Sequence, residues 1–255
     1  MVLKKSLFAL PEGYDLRVFD HLDSTNLECR RYAEAGATGH IWVVADAQSA
    51  GKGRRGRQWV SRPGNLFASL LYAVDCDLGR ISQLSFVAAL AVRDVVADRL
   101  PSGAVVRCKW PNDILVDGRK ISGILLETAG NGGEMPSHMI IGIGINIAHH
   151  PDDGQYPATD LMTAAGQEID RQLVLDRLIH AMDHWISSWK EQGFPLIRQA
   201  WKDGALGLGQ DIIVRLPAEE LRGRFVDLDE TGALILEFGG ERRHISAGDV
   251  FFAPD

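Results

Sequence analysis

The sequence predicts an α+β fold: a sheet built largely from hairpins with flanking helices, followed by a small β-barrel. Three observations point there. An Asp117-Gly118 turn joins two apolar runs, from Ile114 and up to Glu127, and such a turn favours antiparallel pairing over a strand–helix–strand crossover. From Gly209 the pattern changes to short strands separated by Asp-Glu-Thr-Gly and Gly-Gly turns. A chain of 255 residues has room for one large domain and a small one, divided here into 1–205 and 206–255.

The first helix follows Asp23-Ser24-Thr25-Asn26, where Thr25 with Glu28 fits a capping box and Gly36 after Leu27 to Ala35 fits a helix stop. Ile41 to Ala47 and Leu66 to Val74 are short, apolar and partly β-branched, as buried strands are. Ser82 to Leu100 repeats apolar residues at helical spacing and ends before Pro101. Val105 to Trp110 and His138 to Ile147 add strands. A Pro, Gly and Asp loop (His149 to Thr159) precedes a long helix, Asp170 to Glu191, predicted to turn Leu173, Leu178, Met182, Trp185, Ile186 and Trp189 inward. The last strands are Asp211–Leu216, Leu221–Leu228, Ala233–Phe238, Arg242–Ile245 and Val250–Phe252.

With 45% hydrophobic and 24% charged residues the composition is that of an ordinary globular chain, which excludes a disordered or collagen-like one. Cys29, Cys76 and Cys108 form no CxxC pair and cannot all be bridged, so a reducing, cytoplasmic compartment is expected. The start has two lysines but only a short apolar stretch broken by Pro11, so neither export nor membrane insertion is expected.

The net charge of −7 disfavours nucleic acid as a general partner. Its distribution says more. Between Gln48 and Val74 there is no Asp or Glu, while Lys52, Arg54, Arg55, Arg57 and Arg62 all fall there, so this island predicts an anionic ligand.

Its core is Gly51-Lys52-Gly53-Arg54-Arg55-Gly56-Arg57-Gln58-Trp59. The glycines match G-x-G-x-x-G, but a dinucleotide turn must open a helix, and Pro63-Gly64 breaks one here. A phosphate loop of the Gly-Lys-Ser/Thr kind is absent. Glycines let backbone approach a ligand, crowded cations repel until an anion arrives, and Trp59 offers a face for a flat base. By itself such a segment is equally readable as a solvated basic loop.

The loop does not stand alone. Ser24-Thr25-Asn26 precedes it; Lys109-Trp-Pro-Asn-Asp113, Gly118-Arg-Lys120-Ile-Ser-Gly123 and Gly142-Ile-Gly-Ile-Asn146 follow. In order and spacing these five motifs closely resemble the biotin protein ligase family, strongly from Phe19 to Ile147 and more loosely to Ile245-Ser-Ala-Gly-Asp249. The resemblance implies a class II aminoacyl-tRNA synthetase-like mixed sheet and an SH3-like C-terminal barrel. It also implies ATP-dependent formation of biotinyl-adenylate and transfer of biotin to a lysine of a biotin carboxyl carrier protein, with magnesium bound mainly through ATP.

Residue by residue, it implies catalytic roles for Arg54, Lys120 and Asp113, the last positioning either the acceptor lysine amine or a metal. Biotin contacts fall to Ser24, Thr25, Asn26, Gln48, Lys52, Gly53, Arg54 and Lys120. Adenylate contacts fall to Arg55, Arg57, Trp59, Asn112, Gly142, Gly144 and Asn146. Read without the resemblance, Ser24 to Asn26 is a helix cap, Lys120 an exposed lysine after a turn, and Asn146 a strand-terminal asparagine. Gly142 and Gly144 read as a thinning of the strand for ligand approach. Lys52 and Gln58 depart from the Arg and Lys that relatives often carry, which leaves the role of position 52 open.

His180 and His184, at i and i+4 on a helix, lack an HExxH setting and are not read as metal ligands. A DNA-binding repressor is disfavoured because only 23 residues precede Ser24, and no specific DNA or membrane partner is expected; a homodimer is possible. A lipoyl or octanoyl transferase is the other alternative, disfavoured by the cationic loop.

Overall fold

A computed structural model of the chain describes residues 9–74, 78–130, 137–152 and 157–252. Cys76 and residues 1–8 lie outside them; Cys29 and Cys108 are buried free thiols. The order is β1 (Tyr14–Leu22), α1 (Thr25–Glu34), β2 (His40–Gln48), β3 (Leu66–Ala73), α2 (Leu78–Ser82), α3 (Leu84–Ala97), β4 (Val106–Lys109), β5 (Asp113–Val116), β6 (Arg119–Ala129) and β7 (His138–Ile145). Next come α4 (Leu161–Ala165), α5 (Arg171–Gln192) and α6 (Phe194–Asp203), then β8 (Asp211–Arg215), β9 (Glu220–Leu228), β10 (Leu234–Phe238), β11 (Glu241–Ile245) and β12 (Asp249–Phe252).

Seven strands form a mixed sheet in the order β1-β2-β3-β7-β6-β5-β4, in which only β1 and β2 run parallel. The Asp117-Gly118 hairpin forms as read: φ is +48° and +76° at its two central residues, the pair of left-handed conformations that suits strand twist. Four elements escaped the sequence reading. β1, with charged and polar residues through its length, carries no clean period, α2 and α4 span five residues each, and α6 spans ten.

Strand alternation divides the core between the two faces of the sheet. On one face Ile41, Val43, Leu71 and Ile140 pack with Cys29 and Ala33 of α1. On the other, Trp42, Val44, Leu70 and Ile141 meet the apolar sides of α3, α5 and α6. α3 is buried nearly all round, as its composition demands. On α5 Leu178, Met182, Ile186 and Trp189 are buried as expected, but Leu173 is exposed and Trp185 only partly covered, its indole N–H donating to Asp94 at 2.8 Å.

The C-terminal strands make a separate antiparallel sheet, β11-β10-β9-β8-β12. Among the described residues no pairing joins β11 to β12, so the barrel expected from the sequence is an open sheet. It docks on the larger unit through Trp110, whose indole N–H donates to Gly232 O at 3.1 Å.

No described helix is long and apolar enough to cross a membrane.

Candidate functional site

A cavity of about 410 Å³ opens on the α1 face of the large sheet, beyond the N-terminus of that helix. Its origin is a matter of side-chain size. Where α1 covers the sheet the strands carry Ile and Val; past its end the same face carries Ser69, Gly142, Gly144 and Gly123, which leave room.

Ser24, Thr25 and Asn26 line the closed end and are buried. The predicted capping box does not form. Ser24 is the N-cap residue and its side chain makes no capping bond; Glu28 turns instead to Arg31 at 2.7 Å. Thr25 is engaged elsewhere: Gln48 Oε1 accepts from its backbone N–H at 2.8 Å and lies 3.2 Å from its hydroxyl. Gln48 Nε2 donates to Ser61 Oγ at 2.9 Å, and Ser61 donates on to Trp59 O at 2.8 Å. Hence the helix start and the cationic loop are tied together through one glutamine.

The loop is a small antiparallel hairpin. Lys52 bridges Gln58, the Gly53 N–H donates to Arg57 O at 2.7 Å, and the tip is a single 3-10 turn, Arg54–Gly56, with Arg55 at φ +55°. Arg54 Nη1 lies 3.3 Å from Asn112 Oδ1 and 3.4 Å from Gly248 O. Burial lowers the pKa of its guanidinium, with Asp249 pulling the other way. Arg55 and Arg57 both reach Asp249 of the C-terminal sheet, at 2.8 and 3.0 Å.

Next to Asn112, Asp113 Oδ1 pairs with Lys120 Nζ at 2.6 Å, and that ammonium lies 5.6 Å from the centre of the Trp59 ring. The backbone of Lys120 is itself held: its N–H donates to Pro157 O at 2.8 Å, and the Thr159 N–H donates to its carbonyl at 2.9 Å. Asn112 Nδ2 donates to Ile124 O at 2.6 Å, which leaves its oxygen toward Arg54. Asn146 is buried and donates to Thr159 O at 3.1 Å, so the strand-terminal reading of this residue holds alongside its place in the cavity wall.

Every predicted site residue except Arg55 lines this one cavity; Arg55 is exposed at its rim. The glycines differ from expectation in what they admit. A Cβ on Gly142 would lie 2.2 Å from Asn26 Oδ1 and one on Gly144 2.5 Å from Trp59 Cε2, so the thinned strand accommodates the protein's own side chains. Trp59 thereby lies with its indole against the sheet.

Four residues with a part in the site were not assigned from sequence. Lys109, buried at the cavity wall, has its ammonium pKa lowered by burial, opposed by Asp113. Ser69 and Glu127 connect to Asn26 beneath the surface. Asp249 comes from the second sheet. Lys109 and Asp249 stood inside recognised motifs, and that was the available signal; Ser69 and Glu127 carried none. His180 is half exposed, 3.9 Å from Asp176.

Comparison with known proteins agrees in extent with this geometry. Residues 19–146 match the model of the biotin/lipoate A/B protein ligase family, and residues 207–253 match that of the biotin protein ligase C-terminal domain. A biotin–[acetyl-CoA-carboxylase] ligase of Paracoccus denitrificans is 40% identical over 235 residues, 90% of this chain and 97% of that one. The bifunctional ligase/repressor BirA of Bacillus subtilis is 34% identical over 93% of this chain and 74% of its own length. Among solved structures, the Aquifex aeolicus biotin protein ligase in complex with biotin and ATP superposes with a TM-score of 0.76 at 27% identity, covering 93% of this chain and 97% of that one. The Leishmania major enzyme in complex with biotinyl-5-AMP gives 0.65 at 27% identity, over 93% and 100%.

Proposed function

The chain belongs to the biotin/lipoate A/B protein ligase family, and from that premise we propose that it joins biotin to ATP as biotinyl-adenylate and passes the biotinyl group to a lysine of a biotin carboxyl carrier protein. One observation carries the reading. Among the described residues the cavity gathers Lys52, Arg54, Arg57, Lys109 and Lys120 against only Asp113 and Asp249. An excess of about three positive charges in a partly buried space calls for anions of similar total charge. A magnesium–ATP complex and one carboxylate together supply that.

The first half-reaction brings a carboxylate oxygen onto the α-phosphorus while pyrophosphate leaves. At about 4 Å two unit negative charges repel by about 4 kcal/mol at an effective dielectric near 20, and fixed cations offset this without reorganising. Lys120, paired with Asp113, and Arg54, beside Asn112, are assigned that work, with Arg57 and Arg55 on the phosphate side. Ser24, Thr25, Asn26 and Gln48 receive the ureido head at the closed end, with Lys52 and Gly53 along the acid chain. Trp59, Asn112, Gly142, Gly144 and Asn146 form the adenylate wall. In the second half-reaction the carrier amine attacks the acyl carbon and AMP departs. Asp113, released from Lys120 when that ammonium turns to the ligand, is placed to hold the incoming amine.

Among the described residues no cluster of three carboxylate, imidazole or thiol groups could hold a metal, and both cavity carboxylates are engaged by cations. Magnesium would therefore arrive on the nucleotide, where it screens the phosphates.

We take the mixed sheet as the class II synthetase-like framework that the resemblance implied, divided from the second unit at residues 205/206. A cytoplasmic location belongs to the same reading.

The test is direct. Purified protein with biotin, magnesium-ATP and a carrier domain is expected to release pyrophosphate, yield biotinyl-adenylate by mass spectrometry and label one carrier lysine. Lipoate should not compete with biotin. Absence of adenylate and of label with an active carrier, or preferential use of lipoate, overturns the assignment.

A further inference from the structure

Glu127 is on β6, with β7 between it and β3, and it does not line the cavity. Its carboxylate nevertheless acts on the closed end through Asn26. Asn26 Nδ2 donates to Glu127 Oε2 at 2.7 Å, over β7. The crossing is possible because β7 has glycine there, a Cβ at position 142 falling 2.2 Å from Asn26 Oδ1. Arg30 steadies the carboxylate from outside, 3.7 Å from Glu127 Oε1 and donating to Thr128 O at 3.2 Å.

A carboxylate only accepts, so the NH2 of Asn26 faces Glu127 and its oxygen faces inward. There Ser69 Oγ lies 2.6 Å from Asn26 Oδ1 and 2.7 Å from Thr25 Oγ1. Ser69 has one proton and the amide oxygen cannot donate, so that proton goes to Asn26. The Thr25 proton is then drawn to Ser69 Oγ or to Gln48 Oε1, 3.2 Å away, and Thr25 Oγ1 turns a lone pair toward the cavity. Gln48 is fixed from its own far side by Ser61.

We propose that Glu127 is a positioning residue that sets the donor–acceptor polarity of the closed end, so that Thr25 offers an acceptor to a ligand N–H. The proposal rests on the biotin reading above, because a cyclic urea presents two N–H donors beside its carbonyl. Glu127 touches no substrate. It selects for a donor-bearing head by orienting the residues that do.

Titration and steady-state kinetics on the full chain with biotin and desthiobiotin, which share the cyclic urea, test it. Glu127→Ala frees the Asn26 amide to turn over, and is expected to raise Kd and KM for both ligands by about tenfold with kcat unchanged. Glu127→Gln keeps an acceptor oxygen and should recover to within about threefold of wild type. Asn26→Asp sets two carboxylates against each other and should lose affinity. Asn26→Asp combined with Glu127→Gln restores a donor facing an acceptor, with the inward oxygen unchanged, and should regain it; this pair decides the matter even if Glu127→Ala does not fold. Wild-type affinity in Glu127→Ala, or no recovery in the double variant, overturns the proposal. A wild-type chain that binds neither ligand overturns the functional assignment instead.

Discussion

Lys120 Nζ lies 2.6 Å from Asp113 Oδ1, a pair that the β5–β6 hairpin creates by setting Asp113 opposite Gly123 and Leu115 opposite Lys120 across a register shift. The hairpin thus brings an acid and a base from two motifs to one wall, and the two are expected to fail differently. Lys120→Ala removes a cation needed while charge builds on the phosphate and should slow adenylate formation roughly 10²–10³-fold. Asp113→Asn should leave that step far less affected and slow transfer to the carrier. Single-turnover assays that follow adenylate and labelled carrier separately resolve the two; equal loss in both steps for both variants contradicts the division of roles.

The tight fit at β7 gives a second expectation. Gly142→Ala and Gly144→Ala place a methyl 2.2 Å from Asn26 Oδ1 and 2.5 Å from Trp59 Cε2, contacts no side chain tolerates, so the partner must move. Overpacking of this kind costs about 1–3 kcal/mol of stability. Biotin binding should fall with the first and tryptophan emission shift with the second. Gly39→Ala, where a Cβ meets nothing within 4 Å, is the control. Thermal unfolding and ligand titration of the three variants compare them.

Asp249 is the only acidic side chain seen to pair with Arg55 or Arg57 among the described residues. Those two arginines are substantially exposed, so Asp249→Asn should change global stability by less than about 1 kcal/mol. Its local effect is expected to be larger. With the tie to the C-terminal sheet cut, the cations of the loop repel without relief, and trypsin should cut at Arg54 to Arg57 faster than in wild type. Biotin with ATP should protect both proteins. Equal cleavage of the free wild-type and variant chains contradicts the tie.

Most of the sheet was legible because its strands are apolar and bounded by turn residues, and the β5–β6 hairpin because Asp-Gly permits few alternatives. β1 was not, since its burial is intermediate for most of its length and its pairing is with a parallel neighbour that no local turn announces. The site was legible as a set of motifs; their convergence on one cavity depends on long-range register that spacing does not encode. The same limit applied to Thr25. Its sequence context fits a cap, but the side chain is claimed by Gln48 and Ser69, residues far along the chain. Glu127 and Ser69 were invisible for that reason: each meets α1 from a strand far along the chain, Ser69 directly and Glu127 across β7, where Gly142 leaves room.

The last expectation concerns acid. Asp229 organises the turn that docks the C-terminal sheet: its Oδ1 accepts from the Thr231 N–H at 2.8 Å, the Thr231 hydroxyl at 2.7 Å and the Ala233 N–H at 2.9 Å, while His244 Nδ1 lies 2.8 Å from Oδ2. Burial alone would raise its pKa, but these hydrogen bonds outweigh it and hold the group at about 2, below the ordinary 3.8. A carboxyl whose folded pKa is depressed contributes stability above its unfolded value and loses it as pH falls through the folded one. The contribution of Asp229 should therefore be full above pH 3.8 and vanish toward about 2. The turn it holds carries Gly232, whose carbonyl accepts from Trp110 and whose α-carbon packs against Phe86, so loosening there should be visible in Trp110 emission. In denaturant unfolding, Asp229→Asn should be less stable than wild type at pH 7, and the gap should close as the pH approaches 2. A gap that stays constant over that range would mean that the turn depends on the shape of the side chain and not on its charge.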